Sequence, residues 1–187
     1  EFDRLREAAA AVPESRTMGN NTAATVLAVG LLLAEGELEY RRGNHDRAFT
    51  LLRGAVVLDD ELRYDEPWGW MQPVRHALGA LLLEQGQVAE AEAVYRADLV
   101  RHPGNGWSLL GLEECLRRSE RMAEAAEAGT AARTAFARAD IEAGALAAEV
   151  VGERRRVVQV VGDHVAAREI HPVQDDILAH RGAGAEC

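Results

Sequence analysis

The apolar positions of this chain recur at helical spacing, in segments separated by short polar breaks. A first short helix is predicted over Asp3–Val12, stopped by Pro13. Pro13–Asn21 has the Gly- and Asn-containing character of a loop, with Asn21 or Thr22 as N-cap for the next helix. From Thr22 to Arg42 the period is carried by Val26, Val29, Leu32 and Leu33, then Gly36 and Tyr40. Gly43-Asn44 makes a turn, and a second helix is predicted over His45–Leu58, burying Ala48, Leu51, Leu52, Ala55 and Val56.

The same pattern returns further on. Gly79, Gly86, Ala91 and Tyr95 stand where Gly36, Gly43, Ala48 and Leu52 stood, at an offset of 43 residues. Small residues at these intervals let two antiparallel helices approach closely, and Pro103 ends the second of them. The surplus over a shorter period falls in Asp59–Met71, and the next helix starts near Pro73, where a missing N–H costs nothing. A third pair is weaker. Trp107, Leu109 and Leu112 lie on its first helix, Ser119-Glu120 is its turn, Ala125 takes the small position, and Gly129 stands where Tyr95 stood. Its second helix is predicted from Met122 through Ala139 and toward Ala148.

Beyond Ala148, paired valines at 150–151, 157–158 and 160–161, broken by Gly152 and Gly162, replace the alanine-rich pattern. A two-stranded ribbon or an irregular extension fits this stretch as well as a helix, and Arg181–Cys187 reads as disordered. The division expected is therefore 1–21 as a short helix and loop, 22–148 as helix pairs (22–58, 72–103, 104–148), and 149–187 as an extension.

Composition narrows the function classes. Alanine-rich apolar content with few aromatics suits close-packed helices in an all-α fold better than a β-sandwich. A formal charge of −10 argues against nucleic acid as partner, since phosphate binding needs a clustered positive surface. All 21 basic residues are arginine, as a GC-rich bacterial genome produces, so no lysine Schiff base or lysine general base can operate. Cys115 and Cys187 give neither a disulfide framework nor metal spacing. No long uncharged apolar run or signal peptide is present, so no membrane partner and a cytoplasmic location are expected. The chain opens on Glu1 rather than Met, which leads to the expectation of a fragment or processed form.

The run Gly86–Tyr95 with Leu78-Gly79 before it and Pro103 after it resembles a tetratricopeptide (TPR) repeat, a helix–turn–helix unit of roughly 34 residues. Tyr64–Arg75, with its Trp68-Gly69-Trp70-Met71, and Arg101–Leu109 further resemble the C-terminal part of large bacterial TPR-containing proteins of uncharacterised function, over about residues 2 to 141. The resemblance implies a helical-hairpin solenoid of about three pairs whose groove is lined by the first helix of each. It brings no catalytic residues. TPR domains resembling chaperone co-factors hold a carboxylate with lysine and asparagine. The corresponding positions here are mostly Ala34, Ala77, Ala80 and Gly111, so that clamp is missing.

Counted from the aligned glycines, the groove receives Glu37, Tyr40 and Arg41, then His76 and Glu84, then Trp107, Glu114, Arg117 and Arg118. Arginines and aromatics are what binding hot spots favour, although such residues are also ordinary on a solvated helix face. Trp68 and Trp70 in a polar connection either fold back to plug the gap between pairs or form an aromatic lip for a peptide or apolar ligand. The six histidines form no i,i+4 pair and no HExxH, so no metal is expected. Ser15, Ser108 and Ser119 lie in no nucleophile-elbow context, and Asp59-Asp60 and Glu113-Glu114 read as solvated helix ends and faces. The expectation is a non-catalytic scaffold binding protein or peptide, without cofactor. The alternatives are self-assembly through repeat edges and a small-ligand or enzymatic pocket under Trp68 and Trp70.

Overall fold

The structure, a computed structural model, describes residues 1–137 and 139. The extension at 149–187 and residues 140–148 lie outside the described residues, and the last described helix ends at Phe136, short of the expected Ala139. What is described is all-helical apart from one small hairpin. Its elements are α1 (Phe2–Ala10), β1 (Thr17–Met18), β2 (Asn21–Thr22), α2 (Ala23–Arg41), α3 (His45–Glu61), α4 (Val74–Glu84), α5 (Val88–Arg101), α6 (Gly106–Arg118) and α7 (Met122–Phe136). Each helix from α2 onward packs chiefly on its neighbours in the chain, and α4 also touches α6.

The helix ends follow from local chemistry. Thr22 caps α2 by accepting from Thr25 N–H at 3.1 Å, and Asn105 caps α6 by accepting from Trp107 N–H at 3.1 Å. Three pairs, α2–α3, α4–α5 and α6–α7, are joined by one and the same turn. Gly43, Gly86 and Glu120 adopt φ of 83°, 73° and 58°. Each donates its N–H to the carbonyl three residues back, and the following residue donates five back, to Glu39, Leu82 and Leu116 respectively. Five residues after the positive-φ position comes a buried alanine: Ala48, Ala91 and Ala125. Gly43 and Gly86 lie 43 residues apart, whereas Gly86 and Glu120 lie 34 apart. The third turn lacks its glycine, and Glu120 takes the left-handed backbone in its place.

Close helix approach rests on small residues facing large ones. A Cβ on Gly36 would come 2.8 Å from Leu52 Cγ, and a Cβ on Gly79 would come 2.6 Å from Tyr95 Cζ. Gly111 of α6 meets the same tyrosine ring, so Tyr95 is clasped between α4 and α6. In the third pair the sizes exchange. Gly129 of α7 lies under the Glu113 carboxylate of α6, where a Cβ would be 2.6 Å from Oε1. Glu113 therefore occupies the place that Gly36 and Gly79 leave open. The main core runs through Tyr40, Phe49, Leu52, Leu78, Leu82, Tyr95, Leu112 and Leu116, and a smaller one gathers Val29, Ala55 and Val74 with Trp70 against it.

Two expectations need correction. Residues 13–21 form a tight hairpin rather than a plain loop, Thr17 pairing with Thr22 and Met18 with Asn21. Its asparagines grip the α3–α4 connection: buried Asn21 exchanges two hydrogen bonds with the Arg63 backbone (2.8 and 3.0 Å), and Asn20 N–H donates to Asp65 at 2.8 Å. The other correction concerns Asp59 and Asp60, expected on a solvated helix end. Helix α3 continues to Glu61, and both carboxylates tie its end to the start of α4. Asp59 accepts from Val74 N–H at 3.2 Å, and Asp60 holds Arg75 through two bonds of 2.5 and 2.6 Å.

Glu120→Gly is expected to raise stability by about 1 kcal/mol, because a β-carbon is disfavoured at positive φ. Gly79→Ala is expected to lower it by about 2 kcal/mol through overpacking against Tyr95. Urea denaturation followed by circular dichroism measures both changes.

Candidate functional site

Along α5 the buried stripe reads Ala91, Tyr95, Asp98: an acid where an apolar residue belongs. Asp98 has no exposed surface, and its carboxylate accepts three side-chain hydrogen bonds. Ser108 Oγ of α6 donates to Oδ2 at 2.6 Å, and Asn105 Nδ2 from the α5–α6 corner donates at 3.1 Å. His102 Nδ1 donates to Oδ1 at 3.0 Å, since an ionised carboxylate can only accept. His76 Nε2 of α4 lies 3.4 Å from Oδ2, within ion-pair reach when that ring is protonated, and 2.8 Å from Asn105 Nδ2. Burial acts to raise the Asp98 pKa, but His76, Ser108 and His102 outweigh it and hold the group at about 2.

This hub carries a surface feature. With Nδ1 committed to Asp98, the His102 ring is fixed, and the Trp68 indole lies over it with ring centroids 4.5 Å apart. Trp68 remains 46% exposed. Trp70 is seated deeper. Its ring packs against Gly30, where a Cβ would be 2.9 Å from Cη2, and joins the smaller core, with Nε1 buried and lacking an acceptor among the described residues. Between the α3–α4 connection and the α5–α6 corner lies a cleft of about 480 Å³, whose lining includes Asp59, Arg63, Trp68, Trp70, Arg101 and His102. Burial pushes the Asp59 carboxyl above the usual carboxylate range, the Val74 N–H bond working against it. The two bonds from Arg75 hold Asp60 below that range, and Arg101 Nε adds a contact to it at 3.2 Å.

The groove candidates separate into two kinds. Tyr40 is buried, its hydroxyl accepting from Gln85 Nε2 at 2.8 Å and reaching Leu81 O at 3.5 Å. Arg41 meets Glu84 at 3.7 Å across the α2–α4 seam. Arg118 donates to Leu83 O at 2.8 Å, at the negative end of the α4 dipole, and Glu114 holds both Arg117 and Arg118. Tyr40, Arg41 and Arg118 thereby stitch successive first helices together. Trp107, edge-on to Phe136 with centroids 5.3 Å apart, and Arg117 keep substantial exposed surface. His76 is turned inward to the Asp98 hub, and Trp68 and Trp70 lie away from this seam, at the cleft and the smaller core.

Sequence reasoning passed over Asp98, His102, Arg101 and Arg63. The Asp98–His102 spacing of i,i+4, with the acid on the buried face of its helix, was the available signal. Cys115 is buried, and burial first of all pushes its thiol up to about 12, which makes it inert. Among the described residues no cluster of three or more His, Cys, Asp or Glu is placed to hold a metal, and no helix is long and apolar enough to cross a membrane. No protein-family model and no curated protein matches the chain. Over the described residues, fold and site together define an all-α arrangement of three helix–turn–helix pairs with a charged, tryptophan-edged cleft beside the second.

Because the Asp98 pKa is depressed in the folded state, its contribution to stability is full above about pH 4 and is lost as pH falls toward 2. Asp98→Asn is expected to cost about 3 kcal/mol at pH 7, since it leaves donors facing a neutral amide. The stability gap between wild type and variant should narrow by about 2 kcal/mol between pH 4 and 2, measured by urea denaturation across that range.

Proposed function

We propose that the chain is a TPR-type solenoid of about three helix pairs acting as a non-catalytic scaffold, which binds a protein or peptide on the face built from α2, α4 and α6. The observation that carries this reading is the turn repeated at Gly43, Gly86 and Glu120, with its buried alanine each time and an interval of 34 residues between the last two. That interval is the period of the TPR class. The longer first interval is the same unit with its extra residues in the Leu62–Pro73 connection.

In such arrays the first helices line the inner face. Trp107 and Arg117 on α6 keep exposed surface and give that face an indole for apolar contact and a guanidinium group for the carboxylates and carbonyls of an extended segment, while Arg118 and the Arg41–Glu84 pair hold the first helices together. Tyr40 and His76 support the face from within rather than touching the partner, because their polar atoms are taken up inside the fold. The net charge of −10 disfavours nucleic acid, and no cofactor enters the reading.

The test is capture of a partner by the intact chain compared with a Trp107→Ala, Arg117→Ala double variant that keeps its helical circular dichroism. Both positions are exposed, so the fold should survive. The expected result is a protein that binds the purified wild-type chain directly and binds the variant at least about 30-fold more weakly, the loss of one hot spot. Equal capture by both, with a molecular mass that grows with concentration in light scattering, would contradict groove binding and favour self-assembly.

A further inference from the structure

The cleft beside Trp68 has no part in the groove reading, and its chemistry is of a different kind. We propose that it is a binding site for a neutral saccharide, a mono- or disaccharide that lays one sugar face on Trp68 and sets its hydroxyls against Asp59, Asp65, Arg63, Arg101 and His102. The volume, about 480 Å³, falls in the range of small-molecule sites. The platform is built in advance. Asp98 fixes His102, His102 carries the Trp68 ring at 4.5 Å, and nearly half of that tryptophan's surface still faces solvent. A half-exposed indole on a rigid support, at the edge of a concavity, is suited to packing against the C–H face of a pyranose ring.

The polar lining selects the charge of the ligand. The lining holds two carboxylates, Asp59 and Asp65, and two guanidinium-bearing residues, Arg63 and Arg101, so an ion of either sign meets a like charge as well as an opposite one. A hydroxyl meets no such conflict, because it donates to a carboxylate and accepts from a guanidinium. These groups are also positioned before any ligand arrives. Asp59 is anchored on Val74 N–H, Asp65 on Asn20 N–H at 2.8 Å, and Arg101 on Asp60 at 3.2 Å. The Arg63 guanidinium has no partner among the described residues, although its backbone is clamped by Asn21. His102 Nε2, opposite the nitrogen bound to Asp98, is left to accept a hydroxyl proton in the neutral ring. Preorganisation of this kind lowers the entropy cost of binding a small polar ligand.

The test is titration of the whole chain with glucose, galactose, mannose, N-acetylglucosamine and their common disaccharides, followed by tryptophan fluorescence and calorimetry. Sodium phosphate and tetramethylammonium chloride serve as anionic and cationic probes. The expected result is saturable binding of at least one saccharide at millimolar concentration or tighter. It should be weakened at least tenfold by Trp68→Ala, partly restored by Trp68→Phe, weakened several-fold by the exposed Arg63→Ala, and unchanged in Trp107→Ala. The proposal is overturned if no saccharide binds up to tens of millimolar, if phosphate or tetramethylammonium binds in preference, or if Trp68→Ala binds as well as wild type. Since Trp107 belongs to the groove and Trp68 to the cleft, failure here leaves the groove reading to stand or fall on its own variants.

Discussion

The buried carboxylate of Asp98 ties three neighbouring parts of the fold together. Asp98 has no exposed surface and lies among side chains from α4, from the α5–α6 corner and from α6. A bare charge in that position would cost several kcal/mol of desolvation, so it is tolerable only while its donors are in place. The constraint also runs the other way. Ser108, Asn105 and His102 must stand where their donors reach Asp98, which fixes how α6 leaves α5. Asn105 does this while its own carbonyl oxygen caps α6 at Trp107 N–H, so the start of one helix and the interior of another are set by one side chain. The fixed His102 then gives Trp68 a seat on the surface. A local electrostatic requirement thereby shapes both the stacking of the second and third pairs and the rim of the cleft.

Helix packing supplies the second constraint. The three pairs share a turn but not the residues at the point of closest approach. In the first two, glycine on the first helix faces a large residue on the second, Gly36 against Leu52 and Gly79 against Tyr95. In the third the glycine has moved to α7 and a glutamate fills the space from α6. What the fold requires is a small residue opposite a large one, on either side. Tyr95 extends the same logic between pairs, since its ring is received by Gly79 and Gly111 at once. Tyr40, Arg41 and Arg118 complete the stacking by reaching the C-terminal end of α4 from both of its neighbours.

The helices were legible because their signals are local: apolar period, turn glycines and Pro103 mark Thr22–Arg42, the turn at Gly43 and the pair around Gly86 in a single pass along the chain. The third pair was harder to read because Glu120 holds a glycine's backbone and Gly129 holds a tyrosine's place, and both make sense only when the facing residue is known. The 17–22 hairpin was invisible for a related reason. Its asparagines bond to a backbone some 42 residues away, and such pairing leaves no period in the sequence. Tyr40 and His76 were assigned to a face by register, and register does not reveal that their polar atoms find partners on neighbouring elements. Of the two tryptophans, the sequence could offer either a plug or a lip. Trp70 lies in the smaller core and Trp68 on His102, and only tertiary contacts separate them.

The dependence of the second and third pairs, and of the Trp68 seat, on one carboxylate is open to direct measurement by amide hydrogen exchange on Asp98→Asn at neutral pH, read together with tryptophan fluorescence. Loss of protection shared by α4, the α5–α6 corner and α6, with α2 and α3 retaining theirs and Trp68 moving to a more solvated emission, is the predicted result. Loss confined to the turn of α5 around position 98, with the tryptophan emission unchanged, would contradict it.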